Sequence, residues 1–224
     1  MLCYYITLLL KCQEFFRFLS YIHEKYRFFD AICTCFILKI LRNCGKIFKE
    51  NKKIVFGDFM EAVTISEMNS DIHINFMRKA LEYARLALES DDVPVGAVVV
   101  CDGEIVSWGY NRREGDKNAI LHAEIEAIDK ACRKLGGWRL HKCDLYVTLE
   151  PCPMCTGAII NARIKNVYFG ATDRKAGALG GLFNMNDFAL NHHPNVVGGI
   201  CEDECSALIS SFFADLREKR KKEK

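Results

Sequence analysis

Two short clusters carry residue types that do chemistry, at spacings that let them act together. The first is His122-Ala123-Glu124 and the second is Pro151-Cys152-Pro153-Met154-Cys155. Cysteines three apart at a helix start can turn both sulfurs towards one ion, and the helix dipole and the cation both favour thiolate. His122, expected at the start of another helix, supplies a nitrogen ligand. Three such ligands suit zinc and leave its fourth tetrahedral position to water, the arrangement of a catalytic rather than a structural site. Zinc lowers the pKa of that water from ~16 towards ~7. Glu124 is not needed as a ligand. In the first helical turn it can lean towards the water, take its proton and hand it to a substrate.

Each cluster alone says little. A Cys-x-x-Cys pair is commonly half of a structural zinc site or a redox pair, and His-x-Glu is nearly uninformative. A structural site needs a fourth ligand, and Cys201 and Cys205, four apart, could be proposed for it. They read better as buried thiols, and Cys101, Cys132 and Cys143 sit in apolar runs that read as core. The spacing of the 12 cysteines is not that of a disulfide scaffold. Reduced cytosolic thiols with one metal or redox site fit better.

The elements that position these clusters are legible from about Asp71. Phe76, Ala80, Leu81, Ala84, Ala87 and Leu88 recur at helical spacing, which predicts an amphipathic helix over 71–89. Gly96 to Cys101 reads as a buried strand, Asp102-Gly103 as a two-residue hairpin turn, and Glu104 to Tyr110 as the returning strand. A polar loop over 111–120 leads to a helix from His122 to Leu135, closed by Gly136-Gly137. Asp144 to Leu149 is a strand, and a second helix runs from Pro153 to Arg163 with proline at its tolerated first position. Strands follow at Asn166 to Gly170 and Val196 to Ile200, a glycine-rich loop lies at 176–181, and a last helix starts at Glu202. A strand pair followed by alternating helix and strand predicts a three-layer α/β/α domain with a mixed sheet.

Composition bounds the rest. The chain has 224 residues, 27% charged and 50% hydrophobic, which excludes wholesale disorder, and a net charge of +2, which advertises no global basic field. No run of 18 apolar residues argues for a transmembrane helix. The start lacks the basic segment and cleavage signal of a secretory peptide. The averages hide a seam. Residues 1–67 hold 13 of the 25 aromatics, two of the 15 glycines and no proline. Their apolar residues fall on no single stripe, so they are expected to be a disordered extension or the product of a mis-set start, with Met60 or Met68 as the true one. Membrane-surface and partner-binding roles are the rival readings. Residues 68–224 are expected to form one zinc-dependent domain with a basic C-terminal helix.

The two clusters in this order match the signature of zinc nucleobase deaminases. Residues 68–217 resemble the bacterial tRNA-specific adenosine deaminases (TadA type) of the cytidine deaminase-like superfamily. The resemblance is carried by Val93-Pro-Val-Gly-Ala97, Gly109-Tyr-Asn-Arg112, His122-Ala-Glu124 and Tyr146 to Cys155. Further on come Phe169 to Gly177, Asn191-His192, Glu204-Cys205 and Phe212-Phe213. The segment after Phe169 and the paired phenylalanines before a basic terminus favour the tRNA branch. This resemblance implies the cytidine deaminase-like fold with a mixed five-stranded sheet. It implies one Zn2+ per subunit on His122, Cys152 and Cys155, and Glu124 as the proton shuttle. Asn111 and the backbone amide of Ala123 would face a flipped base, and Asp173 would lie near the nucleotide backbone. Two departures, Asn118 to Leu121 before His122 and Gly181 in the glycine-rich loop, touch the rim and not the metal ligands.

The implied reaction is hydrolytic conversion of adenosine to inosine at the wobble position of a tRNA anticodon, by a cytoplasmic homodimer whose pocket rims are partly built by the partner. An anticodon loop is single-stranded, so its base can be splayed into a deep pocket. Residues 68–216 carry 15 basic and 20 acidic side chains, whereas 217–224 carry six basic and two acidic. That tail, with Arg112-Arg113 and Arg174-Lys175 beside the expected pocket, could meet phosphates, although a basic helix end is often only solvated. A free-base or nucleotide deaminase acting on guanine or cytosine would share every zinc residue and is the alternative. A non-catalytic zinc-stabilised RNA-binding module is disfavoured by Glu124.

Overall fold

The computed structural model describes residues 71–222, and the expectations placed on residues 1–67 lie outside them. The first described element, α1, is helical over 71–84 and tightens into a 3-10 turn at Arg85–Ser90. Met77, Ala80, Leu81, Ala84 and Ala87 form its buried stripe. Leu88, expected on that stripe, is exposed, because three residues per turn rotate it away from the face that 3.6 per turn would maintain. Asp91 ends the turn in the left-handed region.

The sheet begins with β1 (Gly96–Cys101) and β2 (Glu104–Tyr110), paired antiparallel around Asp102 and Gly103. Both turn residues have positive φ, 50° and 82°, as a type I′ hairpin requires. The register slips between Val99 and Val100. Helix α2 (Ala123–Leu135) leads to β3 (Cys143–Leu149), α3 (Pro153–Ala162) and β4 (Asn166–Ala171). A short β5 (Asn195–Val197) and the long α4 (Glu202–Lys222) complete the chain order. The strand order is β2-β1-β3-β4-β5, antiparallel up to β3 and parallel beyond it. The expected three-layer α/β/α architecture with a mixed five-stranded sheet is therefore present. β5 stops short of Ile200. Gly199, at a φ of 86°, breaks the extended run, although the N–H groups of Gly199 and Ile200 still donate to Gly170 and Phe169 of β4.

Alternation along the strands builds two cores. Ala97, Val99, Leu145, Val147, Val167 and Phe169 face α2 and α3. Val98, Val100, Tyr146 and Ala171 face α1 and α4, where they meet Met77, Leu81 and Cys205. Close approach on the first side depends on Gly109 of β2, where a Cβ would stand 2.3 Å from the Ala123 carbonyl oxygen. The parallel strands β3 and β4 end together at Leu149 and Ala171. Ligands of open α/β sheets bind outside such carboxyl ends, and both chemical clusters arrive there.

Candidate active site

His122 and Cys152 occupy equivalent positions in their helices. Each is the N-cap residue in extended conformation, His122 of α2 and Cys152 of α3, and neither side chain caps its own helix. Both side chains are thereby free to converge at the positive ends of two helices, which favours thiolate. Cys155 lies one turn into α3 and is fully buried. His122 Nδ1 is 3.5 Å from Cys155 Sγ and 3.7 Å from Cys152 Sγ. With Zn–S near 2.3 Å and Zn–N near 2.0–2.1 Å at tetrahedral angles, a shared zinc would impose about 3.6 Å between nitrogen and sulfur. The three donors thus fit zinc in kind and in spacing. They are also the group that gathers among the described residues. Cys205 and Cys201 pack on the opposite face of the sheet, so neither of the proposed fourth ligands joins them, and among the described residues the group stays at three donors, as a catalytic site requires.

The electrostatics agree with ligand duty. Cys152 is pulled down to about 4, first by the hydrogen bond from Cys155 and then by that from His122. Cys155 is pushed far up, because it donates that bond, is buried and lies beside Glu124. His122 is raised by its bond to Cys152. A divalent cation would compete for the protons these groups share.

Glu124 sits in the first turn of α2 and is only 4% exposed. Burial raises its carboxyl to about 6, with a further push from the negative charge of Cys152. A carboxyl poised near neutrality can both accept and return a proton. It opens onto a cavity of about 450 Å³ that is also lined by His122 and Cys152. Val93 and Asn111 form one wall, and Arg113 and Lys175 stand on two separate loops at its sides. Phe213 of α4, edge-on to Phe212, forms another wall; it remains 40% exposed, so the helix flanks the cavity without roofing it.

The other expected contacts are placed as follows. Asn111 lines the cavity, donates from Nδ2 to the Val93 carbonyl (3.1 Å) and accepts through Oδ1 from the Ala123 N–H (3.0 Å). The Ala123 amide expected to face the base is therefore engaged by Asn111, which caps α2 in place of His122. Asp173 lines the cavity, and its Oδ1 accepts from the N–H groups of Lys175 and Ala176.

Sequence reasoning missed three buried acids. Glu126 accepts from Tyr110 N–H, Arg112 and Lys130, tying the end of β2 to α2. Asp92 and Glu150 take backbone N–H groups of the two side loops. The signal was present for Glu150, an acid ending an apolar strand directly before the cysteine cluster.

The family model described as the cytidine and deoxycytidylate deaminase zinc-binding region matches residues 70–171. A tRNA-specific adenosine deaminase of Bacillus subtilis is 47% identical over 147 residues, 65% of this chain and 91% of that protein. Its counterpart in Haemophilus influenzae is 41% identical over 161 residues, 71% of this chain and 93% of that protein. A solved structure from a study of A-to-I editing by tRNA:A34 deaminases superposes with a TM-score of 0.56 at 44% identity, covering 60% of this chain and 98% of its own. A guanine deaminase from Nitrosomonas europaea superposes at 0.54 with 26% identity, covering 63% of this chain and 84% of its own.

Proposed function

From the premise that the chain belongs to the tRNA-specific adenosine deaminases, we propose that it hydrolyses adenosine to inosine and ammonia at the wobble position of a tRNA anticodon. The observation that carries this reading is Glu124. It is a buried carboxyl beside a three-donor metal set, facing a cavity with Arg113 and Lys175 at its sides. His122, Cys152 and Cys155 would hold zinc, which supplies a water acidic enough to ionise near neutral pH. Glu124 takes a proton from the attacking water and delivers it to N1 of adenine as C6 is attacked. It then takes the second proton from the new C6 hydroxyl and hands it to the amino group, so that the C6–N bond breaks, ammonia leaves and the C6 carbonyl of inosine forms. Asn111 ties the Val93 wall of the cavity to the start of α2 through its bonds to Val93 and Ala123. Asn111, whose Oδ1 holds the Ala123 amide, borders the base, and Asp173 lies on the nucleotide side of the cavity.

The substrate in this reading is an anticodon stem-loop, with Arg113 and Lys175 meeting its phosphates. Residues 68–224 are the catalytic unit, and the protein acts in the cytoplasm as a homodimer. Exposed Leu182, Phe183 and Phe188, just beyond the loop that carries Lys175, support a partner surface near the rim. No helix among the described residues is long and apolar enough to cross a membrane. Ammonia release from a synthetic anticodon stem-loop, compared with free guanine, cytosine and adenosine, tests the reading. Turnover of the stem-loop alone is expected. Turnover of a free base without the stem-loop would replace it with the free-base alternative.

A further inference from the structure

Two carboxylates that the chemistry does not use are buried as deeply as Glu124. Asp92 and Glu150 are each 2% exposed. Burying a carboxylate is costly unless its oxygens receive strong hydrogen bonds, and here the donors are mainly backbone N–H groups of the two loops beside the cavity. Asp92 accepts from Glu114 N–H (2.9 Å) and Gly115 N–H (3.0 Å), and from the Ser90 hydroxyl (3.1 Å). Glu150 accepts through Oε1 from Leu179 N–H (2.9 Å) and Gly181 N–H (2.8 Å), and through Oε2 from Asp173 N–H (3.0 Å). Asp173 in turn accepts from Lys175 N–H (2.8 Å) and Ala176 N–H (3.1 Å). A relay of two carboxylates thus runs from the end of β3 to the backbone of Lys175. The neighbour of Glu114 is Arg113, and both Arg113 and Lys175 line the cavity.

We infer that Asp92 and Glu150 are positioning residues, each setting one basic arm of the rim against the RNA backbone: Asp92 sets Arg113, and Glu150, through Asp173, sets Lys175. The inference rests on the RNA-editing reading above. The supports are separate, since Asp92 follows the 3-10 turn after α1 and Glu150 follows β3. Each arm should therefore fail without the other. A carboxylate at Asp173 would repel a phosphate; as the acceptor that shapes the turn, it presents a lysine instead.

The test is the salt dependence of anticodon stem-loop binding to full-length, zinc-loaded protein carrying Glu124→Ala, so that the RNA is not consumed. Losing one phosphate contact lowers the slope of log K against log salt by about 0.7 for a single strand. Lys175→Ala and Arg113→Ala should each do so. Glu150→Gln replaces an acceptor oxygen with an NH2 that faces a backbone N–H, and should lower the slope by a similar amount with Lys175 still present. Adding Lys175→Ala to Glu150→Gln should then change nothing further, whereas adding Arg113→Ala should remove a second contact. Asp92→Asn should show the mirror pattern. If Glu150→Gln does not fold, Asp173→Ala, nearer the surface, should show the same non-additivity with Lys175→Ala. Losses that add in every combination, or unchanged slopes in folded, zinc-loaded Glu150→Gln and Asp92→Asn proteins, would overturn the inference. A parent protein that does not bind the stem-loop would overturn the RNA reading, and this inference with it.

Discussion

Gly109→Ala is the substitution through which packing should reach the chemistry. The new Cβ would stand 2.3 Å from the Ala123 carbonyl oxygen and 2.8 Å from the Ala127 nitrogen. Ordinary contact begins near 3.4 Å, so the start of α2 must retreat from β2 by about 1 Å, a backbone shift of the kind overpacking forces. That turn of α2 carries His122 and Glu124, while Cys152 and Cys155 sit on α3 and do not move with it. Overpacking of this kind costs about 1–3 kcal/mol, or roughly 2–12 °C in melting temperature for a domain near 150 residues. A displacement of about 1 Å at the reacting groups can cost ~10²-fold in rate. Single-turnover deamination of an anticodon stem-loop, run well below the melting temperature, measures the loss. Zinc release to a chelator should also quicken, because the nitrogen–sulfur spacing opens. Gly137→Ala, past the far end of the same helix and with open space at its Cβ, is the control and should leave the rate alone. A folded Gly109→Ala protein with a rate within about threefold of wild type would refute the claim that this contact sets the catalytic geometry.

Glu124→Ala should keep fold and zinc yet lose about 10²–10⁴-fold in kcat; retention of more than roughly a tenth of wild-type kcat would sink the shuttle assignment. His122→Ala and Cys152→Ser should each lower zinc content in metal analysis, and full occupancy in both would mean other ligands. Deleting residues 218–224 should weaken stem-loop binding and flatten its salt slope without altering zinc content. It also removes the exposed Lys219–Asp91 ion pair at 2.6 Å, which contributes little stability; an unchanged slope would reduce the tail to a solvated helix end. Burial pushes Cys143 and Cys205 up to about 12, above the ordinary thiol value of 9.0. Their stabilisation is therefore complete below pH 9 and lost as pH climbs towards 12, by up to about 1.4 kcal/mol per unit for each thiol. Melting temperatures between pH 8 and 11 should fall less steeply in Cys205→Ala, and parallel curves would contradict the assignment.

Local and periodic signals in the sequence determined a large share of this protein. The apolar run of β1, the Asp102-Gly103 turn, the proline opening α3 and the glycine closing α2 act over a few residues, so their elements could be placed closely. The metal donors were legible for a similar reason. Cys152 and Cys155 share one helical turn, and His122 and Glu124 share another, so chemistry was written in the spacing. Tertiary structure alone decided what depends on partners distant in the chain. It brought two helix N-termini together to within 3.7 Å between His122 and Cys152. It also gave the Ala123 amide to Asn111, and it buried Asp92 and Glu150 beneath loops lying some 22 to 31 residues further along. A buried acid and a solvated one look alike as letters. They differ only in which backbone N–H groups the folded chain brings to them, and that is settled by long-range packing of the sheet and its two helical layers.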